Sequence, residues 1–293
     1  MRLQHPIFHS PLEAQVELTE VETPSNYASW PEGAALPAKL PAWRVQNGEV
    51  GKEVDYGLVS SPYGFEDTPD AEWISSGVNS KGPTAMALGR QANWFLWGFA
   101  GDPTQMTESG RRVFLNTIVY MKQFDGQTPL LKPEGNRDFT IRARDWALVY
   151  AGFVKELGAD AGAQEFLRSR FPAHLVADGI DAGRIEAYYR ENFEMLYPGE
   201  NGLLDVDADL KALGVSNRKP EFLDRMAARM QEMGASDPLV MTLADRYLPE
   251  EAPRDPARFA AWLAQNRDRL FFSDVYGYRW FVGPRAAAAA GTR

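Results

Sequence analysis

Residues 69–121 read PDAEWISSGVNSKGPTAMALGRQANWFLWGFAGDPTQMTESGRRVFLNTIVYM, and this run decides the fold. It reads as a turn-rich polar loop, then a β-hairpin, then one helix. Ala85–Gly89 and Trp94–Phe99 pair as strands across Arg90–Asn93. The second strand is apolar almost throughout, which predicts burial on both faces. Asp102-Pro103 and Thr107 signal a helix start, and Asp125-Gly126 a stop. Between them Val113–Met121 is apolar on nearly every side, so the helix is expected to be enclosed by other elements. That order is how an α/β sheet domain finishes. Only 68 residues precede it and none form a βαβ unit, whereas such a domain needs several crossovers of about a dozen residues or more. The stretch therefore reads as the closing part of a sheet domain whose front is missing.

Upstream, residues 1–53 are proline-rich and weakly periodic. Short strands are expected at Gln15–Val21, Ala42–Gln46, Tyr56–Ser60 and Trp73–Ser75. Downstream, residues 127–136 (QTPLLKPEGN) form a linker, and the character then turns helical. Amphipathic helices are expected over Phe139–Leu157, Ala163–Phe171, Arg184–Leu196, Asp207–Leu213, Phe222–Met233, Leu239–Leu248 and Pro256–Leu270. Gly158, Gly214 and Gly234 stand where helix-ending glycines belong. Phe271–Val282 closes the chain as two aromatic strands around Tyr276-Gly277. The organisation is thus a partial sheet domain over 1–126, the linker, a mainly helical domain over 137–285 and a frayed tail over 286–293.

The chain carries a net charge of −9 and no cysteine. An acidic surface offers no attraction to phosphate backbones, which excludes nucleic acid as a partner. The missing thiols exclude disulfides and any cysteine nucleophile. No apolar run approaches the ~18 residues of a membrane span, and no signal-peptide pattern opens the chain. A cytoplasmic location is the default, or a periplasmic or secreted one if an upstream signal precedes Met1.

The polar loop Ser75–Pro83 is the preferred binding candidate, because loops at sheet ends carry sites in α/β folds. Asn79, Ser80 and Lys81 with their backbone N–H groups could hold an anion, or could simply satisfy the turn. Arg90 and Asn93 beside Trp97 could receive a carboxylate or a sugar, the alternative being turn chemistry over core aromatics. His5 and His9 are spaced for a shared metal on a helix, but Pro6 and Pro11 oppose a helix there. Asp205, Asp207 and Asp209 imitate a calcium loop. Leu210 and Ser216 stand where that loop needs Gly and Glu, so Asp207 reads instead as a helix N-cap. No metal or cofactor is called for, and no nucleophile–base pair can be assembled.

His5-Pro6-Ile7-Phe8, the TPxxY element Thr23–Tyr27 and the run 69–121 together resemble the closing section of ThuA-like domains, of the class I glutamine-amidotransferase-like superfamily. The resemblance implies a truncated or degenerate flavodoxin-like α/β sheet over roughly residues 4–124. Only His5 matches a functional position, so no catalytic set carries over. The expected function is a non-catalytic binding or structural module for a carbohydrate or a partner protein. The alternative is a fragment of a ThuA-like hydrolase or sugar-modifying enzyme, completed upstream or by another chain. An open sheet edge would also favour oligomerisation.

Overall fold

Two residues, Ala92 and Asn93, turn the central hairpin, and the tightness of that turn sets the register of the two strands it joins. The computed structural model describes residues 1–30, 32–47, 49–50, 53–54, 59–60, 68–100, 103–131, 152, 161–198 and 204–284. They divide into two units, Met1–Leu131 and Lys132–Arg293. Both are mixed α+β, with small sheets whose strand pairs are all antiparallel among the described residues.

In the first unit β1 (Leu18–Glu22) pairs with β2 (Lys39–Trp43), and the two-residue strands β3 (Glu49–Val50) and β4 (Glu53–Val54) pair with each other. The main sheet has the order β5 (Ala71–Ser76), β6 (Met86–Gln91), β7 (Trp94–Trp97). Gln91 opposes Trp94, and Ala92 takes a φ of 47° to close the turn. Such connections are too short for a parallel crossover. Arg90 therefore lies within β6 rather than in the turn. The expected strand burial also differs. β7 pairs only with β6 among the described residues, and Trp94 is 71 % exposed.

Helix α1 (Glu108–Met121) starts at Thr107, whose hydroxyl accepts from the Gly110 amide at 3.0 Å. Gly110 is required there, since a Cβ would stand 2.4 Å from the Val45 carbonyl oxygen. The helix buries Val113, Asn116 and Thr117 at helical spacing. Val113 packs with Ile7, Phe8, Ile74 and Leu88. Asn116 ties down the N-terminal segment: its amide donates to the Ile7 and Leu12 carbonyls at 2.9 and 2.6 Å and accepts from the Leu12 amide at 2.9 Å. The opposite face exposes Leu115, Ile118 and Val119, so the helix is covered on one side rather than enclosed.

The second unit is built from α2 (Ala161–Arg168), α3 (Ala173–Val176), α4 (Ala182–Asn192), α5 (Ala208–Leu213), α6 (Glu221–Met233), α7 (Pro238–Tyr247) and α8 (Pro256–Asn266). A hairpin of β8 (Leu196–Pro198) and β9 (Leu204–Val206) had no counterpart in the sequence reading, while β10 (Leu270–Ser273) and β11 (Arg279–Val282) form the expected terminal pair. Gly214 and Gly234 end α5 and α6 with φ of 77° and 82°. The expected helix Phe139–Leu157 apart from Gly152, which is helical, lies outside the described residues, as do Gly158, the end of the linker, the tail and most of the expected strand Tyr56–Ser60. No described helix is long and apolar enough to cross a membrane.

Phe222, Met226, Met230, Leu243, Tyr247 and Phe259 form the main core of this unit. A buried acid anchors it. One oxygen of Asp207 caps α5, accepting from the Asp209 and Leu210 amides, and the other takes Arg246 at 2.9 Å and the Tyr247 hydroxyl at 2.6 Å. Removing it leaves a buried phenol without its acceptor, leaves Arg246 with Asp209 at 3.6 Å, and uncaps a helix. Asp207→Ala should lower the unfolding free energy by about 3 kcal/mol, with Asp207→Asn recovering the capping share, as read from urea denaturation followed by circular dichroism.

Candidate functional site

Alternation along β6 gives the sheet two unlike faces. Leu88 meets Ile74 and Val113 beneath α1, whereas Ala85 and Ala87, out of phase by one residue, meet Val59 on the other side. Small residues dominate that second face. A Cβ on Gly77 would lie 2.9 Å from the Ala87 Cβ, and one on Gly98 only 2.7 Å from the Ala87 carbonyl oxygen. Between this floor and the β1–β2 pair lies a cleft of about 660 Å³, with Val21, Leu40, Val45, Val59 and Phe99 among its walls. That volume is within the ~300–1,000 Å³ of small-molecule sites. A second hollow of about 330 Å³ lies against β1, β2 and the start of α1, lined by Glu17, Glu108 and Arg112, with Thr19, Trp43 and Arg44 shared between the two. Its mixed charges fit an ordinary solvated surface.

Tyr27 and Ser75 are buried residues with hydroxyl groups among those lining the cleft. The Tyr27 hydroxyl oxygen accepts from both the backbone and side-chain N–H of Asn79, at 3.1 and 3.2 Å. Among the described residues, its own proton meets no acceptor. Burial pushes the phenol above its ordinary value, against the Asn79 amide, which favours the anion. At neutral pH the phenol therefore keeps its proton. Asn79, 4 % exposed, folds the loop that holds Tyr27. Its amide also donates to the Gly77 and Gly82 carbonyls, and its oxygen accepts from the Lys81 and Gly82 amides. The Lys81 ammonium donates to the Val59 carbonyl at 2.6 Å, and the Ser80 carbonyl accepts from Asn26 at 3.0 Å. Of the three loop residues singled out by sequence, Asn79 and Lys81 thus turn side-chain polar atoms onto backbone partners, and the cleft lining is drawn from their neighbours Ser75–Val78 and Pro83.

His5 and Arg90 meet at a different place, on the α1 side of the sheet, around Glu72. One Glu72 oxygen accepts from the Arg90 guanidinium at 2.8 Å; the other faces His5 Nε2 at 3.2 Å and the Tyr120 hydroxyl at 2.8 Å. Arg90 further donates to the Ala92 carbonyl at 3.0 Å and lies 3.8 Å from the centre of the Phe124 ring. The Ile7 amide donates to His5 Nδ1 at 3.4 Å, which fits the tautomer carrying its proton on Nε2. Burial works to raise the Glu72 pKa, but the hydrogen bonds from His5, Arg90 and Tyr120 outweigh it and hold the carboxyl well below 4.5. Tyr120 is pushed up to about 12 by burial and by Glu72. A carboxylate so fully engaged is a poor proton acceptor, so the cluster is a clasp rather than an acid–base pair.

Asn93 is exposed in the hairpin turn, and Trp97 packs edge-on against Phe99 and Phe114 with ring centres 5.0 and 5.1 Å apart. His9 engages Glu13 and the Leu3 carbonyl, so the two N-terminal histidines serve separate partners. His174 lies 3.7 Å from Asp205, which accepts from the Tyr188 hydroxyl. Among the described residues no group of three acidic or imidazole side chains could hold a metal ion. Tyr27, Arg44 and Glu72 are the residues that sequence reasoning missed. Only Tyr27 carried a signal, as the last position of the TPxxY element. The chain matches no family model, and neither a curated protein nor a solved structure shows significant similarity to it.

Because the folded state lowers the Glu72 pKa, the clasp stabilises the first unit fully above pH 4.5 and loses that contribution as pH falls further. Glu72→Gln should cost about 1–3 kcal/mol at pH 7 and flatten the acid limb of the stability curve, measured by urea titrations between pH 3 and 7.

Proposed function

We propose that the first unit is a non-catalytic binding module whose cleft takes a small, largely apolar molecule. The observation that carries this reading is the cleft of about 660 Å³ itself, apolar along its walls and floored by glycine and alanine. The Tyr27 proton supplies the fixed polar contact that orients the ligand, and the Asn79 loop positions Tyr27. Predominantly apolar walls with few polar groups suit such a molecule better than the many hydroxyls of a carbohydrate. The polar clusters that resemble catalytic groups are internally satisfied, which supports binding over turnover.

A neutral apolar dye tests it. Nile red should bind with micromolar affinity and a blue-shifted emission. Ser76→Trp, placing a large ring from an exposed cleft position, should weaken binding at least about tenfold without changing the thermal midpoint. Equal binding by the variant would overturn the assignment.

A second reading is favoured by β7 having a single partner strand among the described residues and by the exposed Leu115, Ile118 and Val119 of α1. In it the unit is the closing part of a ThuA-like, flavodoxin-like domain whose sheet is completed by other segments or a second chain. Light scattering should then give a mass above 32.7 kDa, which Ile118→Arg reduces to the monomer. A monomeric native protein would count against it.

A further inference from the structure

We propose that the ligand of this cleft is an apolar monocarboxylate, held at its charged end by Arg44; the inference rests on the binding reading above. Among the described residues lining the cleft, Arg44 is the single charged side chain. It is exposed at the rim, one residue beyond β2, and is followed by the buried wall residue Val45. Its Nε donates to the Gln46 carbonyl at 3.1 Å, which fixes the plane of the guanidinium. Among the described residues no acidic side chain lies within ion-pair distance of it. This contrasts with Arg90 and Arg246, whose guanidinium groups are committed to Glu72 and Asp207.

Among the described residues no acceptor takes either terminal nitrogen of Arg44. Nη1 and Nη2 form a planar fork that matches the two oxygens of a carboxylate. A cation at the rim with apolar walls behind it defines an amphipathic ligand. The anionic head stays at the solvent edge, where desolvating it costs little, and the hydrocarbon enters the cleft. The chain is acidic overall, at −9. An anion is therefore not drawn to this protein by general charge, and recognition depends on the local cation and the apolar surface together.

Isothermal titration of the full chain with octanoate and with its neutral isostere octanamide tests the assignment, in wild type and in Arg44→Gln. Octanoate should bind wild type about tenfold more tightly than octanamide, as expected for a charge-assisted hydrogen-bonded contact at a partly solvated site. Arg44→Gln should remove that preference while leaving octanamide affinity unchanged, and Arg44→Lys should restore part of it. Raising the salt concentration should weaken octanoate binding alone. Equal affinities for the two ligands in wild type, or a preference that survives in Arg44→Gln, would overturn the carboxylate assignment while leaving the binding reading intact. Failure of both ligands with Nile red still bound would likewise overturn it. Failure of all three probes would overturn the binding reading as well.

Discussion

The Glu72 carboxylate is the point at which four segments of the first unit must agree. It sits on β5 and gathers His5 from the N-terminal segment, Arg90 from β6 and Tyr120 from α1. A partly buried carboxylate is unfavourable unless donors converge on it. Convergence requires the hairpin in register, the helix docked and the N-terminal segment folded back across both. The Asn116 amide reinforces the last of these from the middle of α1. Local elements that are individually marginal, such as a three-stranded sheet and a three-residue helical turn, are thereby made to depend on one another.

That commitment on one face leaves the opposite face of the sheet free for another purpose. Once Leu88 and Arg90 are directed toward α1, Ala85 and Ala87 must point the other way. With glycine at positions 77 and 98, the face is too shallow to fill the space against β1 and β2. Asn79 suits its loop because an amide both donates and accepts. An aspartate there could still accept from the Lys81 and Gly82 amides, but its side chain could not donate to the Tyr27 oxygen or the Gly77 carbonyl.

Where sequence legibility ended is explained by the range of the interactions. The hairpin over 85–99 and the terminal strands around Tyr276-Gly277 were readable because pairing and turn lie within a few residues. Several helices of the second unit were readable through local caps, with Asp207, Gly214 and Gly234 at their ends. Long-range polar partnership left no such trace: His5 and Glu72 are 67 residues apart, and Asn79 and Tyr27 are 52 apart. Arg90 looked like a turn residue because the turn was drawn four residues wide, whereas the left-handed Ala92 allows two. β7 looked doubly buried because apolar content does not distinguish an edge strand carrying aromatic residues from a central one.

Asp207 in the second unit repeats the device of Glu72 in the first. Each carboxylate takes a guanidinium and a phenol, Arg246 with Tyr247 in one case and Arg90 with Tyr120 in the other. Such acids have the outward composition of catalytic groups, yet catalysis needs a lone pair or a proton that can be exchanged with substrate. Here those lone pairs are occupied by donors from neighbouring elements, and the phenols are held protonated above their ordinary values. Among the described residues of the first unit, donors without an acceptor remain at the Tyr27 hydroxyl and the Arg44 Nη atoms, and also at the buried Arg90 Nε and Trp97 Nε1. The two acids that, among the described residues, have the outward look of catalytic groups thus hold neighbouring elements together.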